Sequence, residues 1–148
     1  NSGHIVNISS LAGKKGVPYN SIYSASKAGL IMWTDSLRQE LVRTGINFSA
    51  ICPGYISETG MTVDSGLPAP TLAGISTPQD VANSVIRAIK KNKAEVIINE
   101  SAIAEFLTKV MFGIGQVAPQ FVDAVYRWIA VARLNQMRAE NFAKNQYN

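Results

Sequence analysis

Tyr23 and Lys27 stand four positions apart in a stretch free of proline. On a helix that spacing stacks two side chains on one face, one turn apart. A phenol is a poor proton carrier at neutral pH, because it holds its proton up to about pH 10. An ammonium group beside it favours the phenolate. The pair can therefore serve as a general acid/base for a carbonyl/alcohol couple. Taken alone, Tyr-x-x-x-Lys recurs by chance and is more often a surface lysine beside a half-buried tyrosine. Ser10 changes that weighing. It lies thirteen positions before Tyr23, at the end of an apolar run. A loop between them can fold back and bring a hydroxyl beside the phenol, where it would donate to a carbonyl oxygen as charge develops there. The plain alternative for Ser9 and Ser10 is a pair of strand-end hydroxyls satisfied by backbone.

The elements that would position these groups are legible. Residues 4–9 are short, β-branched and bounded by Gly3, and predict a buried strand. Residues 11–20 carry Gly13, Gly16 and Pro18 and predict a loop. Residues 21–44 hold a stripe of Leu30, Trp33, Leu37 and Leu41 and predict a helix, with Asn20 or Ser21 as cap and Gly45 past its end. A second strand is expected over 46–52, stopped by Pro53 and Gly54. Residues 54–76 predict a long lid or binding loop. Thr77 and Pro78 open a helix that should run to about Lys91, followed by a strand over 95–99. The remainder predicts helices with breaks at Gly113–Gly115 and at Pro119. Strands with few polar alternations, separated by helices, indicate an α/β fold with a doubly wound parallel sheet.

Three segments carry a family resemblance: I-V-N-I-S-S-L-A-G at 5–13, Y-S-A-S-K-A-G-L at 23–30 and C-P-G-Y-I at 52–56. In order and spacing they resemble the classical short-chain dehydrogenases/reductases, over roughly residues 3–99. The resemblance implies an NAD(P)-binding, Rossmann-like fold and an oxidoreductase that interconverts a carbonyl and an alcohol by hydride transfer. It implies Ser10, Tyr23 and Lys27 as catalytic residues: Ser10 orients the carbonyl, Tyr23 transfers the proton, and Lys27 favours the phenolate and binds the nicotinamide ribose. Ser10 is preferred over Ser9 by the family's spacing to the tyrosine. Pro53 and Gly54 map to the segment under the nicotinamide, and Ile56 to its carboxamide contact. The family's threonine five positions after the proline is Glu58 here; Thr59 takes its place one residue late. Tyr55 joins Ser10 and Tyr23 as an expected substrate contact. The cofactor is NAD or NADP. The family's Gly-rich turn, its N-N-A-G segment and a further catalytic asparagine match nothing in this sequence. The expectation is therefore a C-terminal half, with residues 1–100 completing the dinucleotide-binding domain and 101–148 forming a helical extension. The alternatives are a non-catalytic nucleotide-sensing or scaffold protein on the same fold, or an enzyme half that is inert in isolation.

Composition sets the outer limits. At 148 residues and 47% hydrophobic, the chain has the size and make-up of one folded domain. No apolar run reaches the length of a membrane span; the longest candidate, 103–119, is broken by Glu105, Lys109, Gly113, Gly115 and Gln116. The net charge of +4 is scattered, with only Lys14–Lys15 and Lys90–Lys91 adjacent, so no nucleic-acid stripe is expected. One cysteine and one histidine support neither a disulfide nor a metal site. A cytoplasmic-type, reducing compartment fits. His4 reads as a satisfied strand residue and Cys52 as a small buried hydrophobe. Phe106, Met111, Phe112, Trp128 and Ile129 read as core or subunit-contact residues, so a homo-oligomer is expected. The mix of aromatics with Lys109, Arg127, Arg133 and Arg138 also suits peripheral membrane contact. The substrate is expected to be a small, apolar carbonyl or alcohol compound, on the strength of Tyr55, Met61, Val63 and Leu67 in the 54–76 loop.

Overall fold

The computed structural model describes residues 2–70 and 75–146. Its central sheet has three parallel strands in the order β1 (Gly3–Ile8), β2 (Ile46–Pro53) and β5 (Glu95–Ile98). β1 pairs with β2 from Gly3↔Ile46 to Ile8↔Ile51, and β2 pairs with β5 from Ala50↔Glu95 to Pro53↔Ile98. β2 is the middle strand, and from Phe48 to Pro53 every residue is buried. That is why its sequence does not alternate: both of its faces are covered.

The two faces have separate cores. On one, Ile31 of α1 (Ser21–Glu40) packs with Cys52, Ile97 and Phe112 of α4 (Ala102–Val117). On the other, Ala88 of α3 (Pro78–Lys91) packs with Ile51, Val96 and Ile98. Helices on both faces of a parallel sheet make the doubly wound architecture expected from the sequence. Polar ties fix the ends. Arg38 Nη1 donates to the Phe48 carbonyl at 2.7 Å and to Asn92 Oδ1 at 2.8 Å, clamping α1 to the left-handed cap of α3. The His4 ring is hydrogen-bonded to Ser49 Oγ at 2.8 Å.

Three boundaries differ from the sequence reading. α1 ends at Glu40 rather than near Thr44, because the backbone turns through left-handed conformations at Arg43 (φ 71°) and Gly45 (φ 81°). The 54–76 segment is not a bare loop. β3 (Tyr55–Ile56) pairs in parallel with β4 (Ile75–Ser76), and the one-turn α2 (Met61–Asp64) lies between them. α4 does not break at Gly113–Gly115 but runs on to Val117. A Cβ at Gly115 would lie 3.2 Å from Val122 Cγ2, so this glycine admits the fully buried Val122 of α5 (Pro119–Trp128). The break at Pro119 is present, and a second, at Ile129–Ala130, leads into α6 (Val131–Gln146).

Candidate active site

The site grows from the junction between β1 and α1. Past Ile8 the chain enters a 3₁₀ turn, Leu11–Gly13, whose N-cap is Ser10. Ser10 Oγ accepts from the Ala12 N–H at 3.2 Å and lies 3.5 Å from the Pro53 carbonyl, to which it donates. Ser9 is occupied differently: it is buried, and its hydroxyl donates to the Lys27 carbonyl at 2.8 Å. The neighbouring hydroxyls therefore divide the work, Ser9 tying β1 to α1 and Ser10 facing open space.

Tyr23 and Lys27 occupy successive turns of α1, on the face turned toward this junction. Lys27 Nζ lies 5.6 Å from the Tyr23 ring centroid and donates to the Ile8 carbonyl at 3.0 Å. An ammonium carries three donors, so two remain for other acceptors. Among the described residues, the Tyr23 hydroxyl has no hydrogen-bond partner.

Ser10, Tyr23, Gly54 and Tyr55 line a single cavity of about 660 Å³. Its remaining wall comes largely from the C-terminal helices, including Leu107, Met111, Phe112, Val125 and Ile129. Among the residues lining it, Lys27, Pro53, Ile56 and Thr59 do not appear. Lys27 stands behind Tyr23, and Pro53 is buried in β2. Ile56 is engaged with Ser76 in the β3–β4 ladder, and Thr59 is exposed beyond the left-handed Glu58.

The apolar lining differs from the expected one. Of the loop residues, Tyr55 reaches the cavity, whereas Val63 is exposed and Leu67 lies off the wall; the Met61 side chain is outside the described residues. The residues read as core or subunit contact divide as well. Phe112 is core and also cavity wall, Met111, Trp128 and Ile129 line the cavity, and Phe106 is exposed. Sequence reasoning missed Tyr126 and Asn135, and grouped Arg138 with the membrane-contact cations although it is buried and lines the cavity. The only signal for them was an apolar tail interrupted by polar residues at helical spacing.

Burial dominates the electrostatics nearby. Burial, with a smaller push from the Glu95 carboxylate, raises the Cys52 thiol to about 12; Lys14 and the Ser9 and Ser10 hydrogen bonds pull the other way. Burial, and then Tyr55, raises the Tyr126 phenol. His4 is lowered by burial and by Arg38.

A sequence model described as short chain dehydrogenase matches residues 1–68. Over 146 residues the chain is 63% identical to a protein of Nostoc sp. named ketoacyl reductase HetN, covering 99% of this chain and 51% of that one. The chain belongs to the short-chain dehydrogenase/reductase family. It spans about half the length of the curated relatives it matches. Among solved structures, it resembles 4-hydroxyisoleucine dehydrogenase complexed with NADH, at 28% identity and a TM-score of 0.53 over 66% of this chain and 44% of that one. A short-chain dehydrogenase from Burkholderia cenocepacia in complex with NADP shares the fold, at 24% identity and a TM-score of 0.63 over 87% of this chain and 48% of that one. No helix among the described residues is long and apolar enough to cross a membrane.

Proposed function

We propose that the whole protein is an NAD(P)-dependent oxidoreductase that interconverts a carbonyl and an alcohol by hydride transfer, with Tyr23 as proton donor and acceptor. One observation carries the reading. The Ser10 and Tyr23 side chains line the same cavity, and the Lys27 ammonium lies 5.6 Å from the Tyr23 ring. A relative at 63% identity is named a ketoacyl reductase, and solved relatives hold NADH or NADP, which supports the same class.

The residues present fit a nicotinamide nucleotide. Lys27 has two donors left for ribose hydroxyls, and Gly54 offers a stretch of wall without a side chain in the cavity that Tyr23 lines. Tyr23 and Gly54 would hold the cofactor from the cavity wall, and the family resemblance adds Lys27, Pro53, Ile56 and Thr59, which lie off that wall. When bound, the nicotinamide supplies or accepts the hydride. Ser10 Oγ, now directed weakly at the Pro53 carbonyl, would turn to donate to the substrate oxygen. Tyr23 Oη would deliver its proton to that oxygen during reduction and take it back during oxidation. Lys27 would keep its ammonium group beside the Tyr23 ring through that exchange. Residues 101–148 serve in this proposal as a helical extension that walls the substrate space, beside the dinucleotide-binding part formed by residues 1–100.

The test is Tyr23→Phe in the whole protein, assayed with NADH and NADPH. Loss of the transferable proton should lower kcat by about a hundredfold or more, while thermal stability and cofactor binding stay near wild type. Near-normal turnover by this variant would sink the mechanism, whereas nucleotide binding with no turnover by the wild type would favour a scaffold that binds nucleotide without chemistry.

A further inference from the structure

Arg138 of α6 is a charged side chain with a relative exposure of only 8%, and it lines the same cavity as Ser10 and Tyr23. Among the described residues no carboxylate forms an ion pair with it. The ion pairs among the described residues, Lys14–Glu95, Lys15–Asp123 and Arg87–Glu105, all use other cations. Its partners are neutral. Nη1 donates to Tyr55 Oη and to Asn135 Oδ1, both at 3.3 Å, and Nη2 donates to the Pro68 carbonyl at 2.6 Å. The guanidinium also lies over the Tyr55 ring, 4.9 Å from its centroid. A guanidinium has five N–H donors, so three are used. One of the remaining two is on Nε, which is buried without a partner.

That arrangement is costly without a ligand. A guanidinium keeps its charge at physiological pH. Burying an uncompensated charge costs several kcal/mol as an order of magnitude, and an unpaired buried donor adds to that. Neutral acceptors offset part of it. A carboxylate would offset the rest, because its two oxygens match adjacent N–H groups of a guanidinium. The acidic residues that share its cavity or its stretch of α6 are otherwise disposed. Glu100 lines the cavity but is exposed and outside ion-pair distance, and Glu140 is exposed and receives the Gln136 amide.

We propose that the substrate is an apolar oxo acid whose carboxylate is held by Arg138 while its carbonyl meets Ser10 and Tyr23. The proposal rests on the oxidoreductase reading for the second contact only. Leu107, Met111, Val125 and Ile129 line the same cavity, a surface suited to an aliphatic chain. Tyr55 links the ends, since it follows Gly54 in the chain and its hydroxyl accepts from Arg138.

The test compares medium-chain oxo acids with their primary amides, matched in size and lacking only the charge, on the whole protein. Charged hydrogen bonds of this kind correspond to about a tenfold to hundredfold preference. The acid should exceed the amide in kcat/KM by that factor, mostly through KM. Arg138→Gln should remove the preference by raising KM for the acid while leaving the amide within about twofold. Arg138→Lys should keep part of it. Calorimetric binding of the saturated fatty acid and its amide gives a second readout that needs no turnover. Equal use and equal binding of acid and amide by the wild type would overturn the proposal while leaving the oxidoreductase intact. So would an equal loss on both substrates in Arg138→Gln, which would make the residue a strut between α6 and Pro68. Tighter binding of the acid with no turnover of any oxo compound would uphold the site and reject the oxidoreductase.

Discussion

A Cβ added to Gly13 would sit 2.7 Å from the carbonyl carbon of Lys27, 2.8 Å from its oxygen and 2.9 Å from the Ala28 nitrogen. These are backbone atoms of α1 and cannot swing aside. Gly13 ends the 3₁₀ turn that Ser10 caps, so this contact sets the distance between the Ser10 turn and the helix that carries Tyr23 and Lys27.

Gly13→Ala should therefore injure both stability and chemistry. Overpacking of this kind costs about 1–3 kcal/mol, which should appear as a lowered melting temperature. The displaced turn should also lower kcat, at temperatures where the variant is still fully folded. Gly16→Ala is the control, because a Cβ there meets nothing within 4 Å. If the two variants melt and turn over alike, the close contact does not set the site.

Cys52 offers a chemical probe of the same junction. Its thiol is fully buried between α1 and the sheet, and burial raises it to about 12. The reactive thiolate is then scarce at pH 8, and access is closed as well. Ellman's reagent should leave the native protein unmodified at pH 8 and titrate one thiol after denaturation in urea. Raising the pH to about 10, near or above the ordinary thiol range, should not restore reaction while the fold is intact. Rapid labelling of the native protein at pH 8 would mean that the core around Ile31, Ile97 and Phe112 opens readily.

The sheet was legible in the sequence, and the cavity was not, for one physical reason. Residues 46–52 and 95–99 are apolar runs of strand length whose burial suppresses alternation, so local pattern and tertiary role agree there. Residues 4–9 form the expected strand but not a buried one: β1 is the edge of the three-stranded sheet, and Ile5 and Ile8 are exposed. That Ser10 and Tyr23 could face one space was legible because loop length and helical spacing are local too, and both line the same cavity. The wall facing them depends on how α4, α5 and α6 cross, which no local spacing encodes. Gly113 and Gly115 illustrate this. Read locally, they break a helix; in the fold, Gly115 clears room for Val122. Arg138 reaches Tyr55 and Pro68 across 83 and 70 positions of sequence. Nothing local could have separated it from Arg133 on the same helix.

The capping box that opens α3 should give stability a measurable acid dependence. The Asp80 carboxyl is held below the usual carboxylate range, first by the Thr77 backbone N–H and then by the Thr77 side chain. The Asp80 carboxylate accepts from the Thr77 N–H at 2.8 Å, while the Thr77 hydroxyl accepts from the Asp80 N–H at 3.2 Å. A carboxyl group whose pKa is depressed by folding stabilises the native state above its unfolded pKa, and that contribution is lost as the pH falls through its folded value. Asp80→Asn keeps the shape and an acceptor but removes the charge at the helix N-terminus. The variant should therefore melt below the wild type at pH 7. The gap should narrow as the pH drops below about 4, where ordinary aspartates protonate, and close once the wild-type carboxyl is itself neutral. Thermal melts of the two proteins across that range provide the measurement. A gap that stays constant with pH would show that the ionised form of Asp80 contributes nothing to the cap beyond what its neutral amide counterpart supplies.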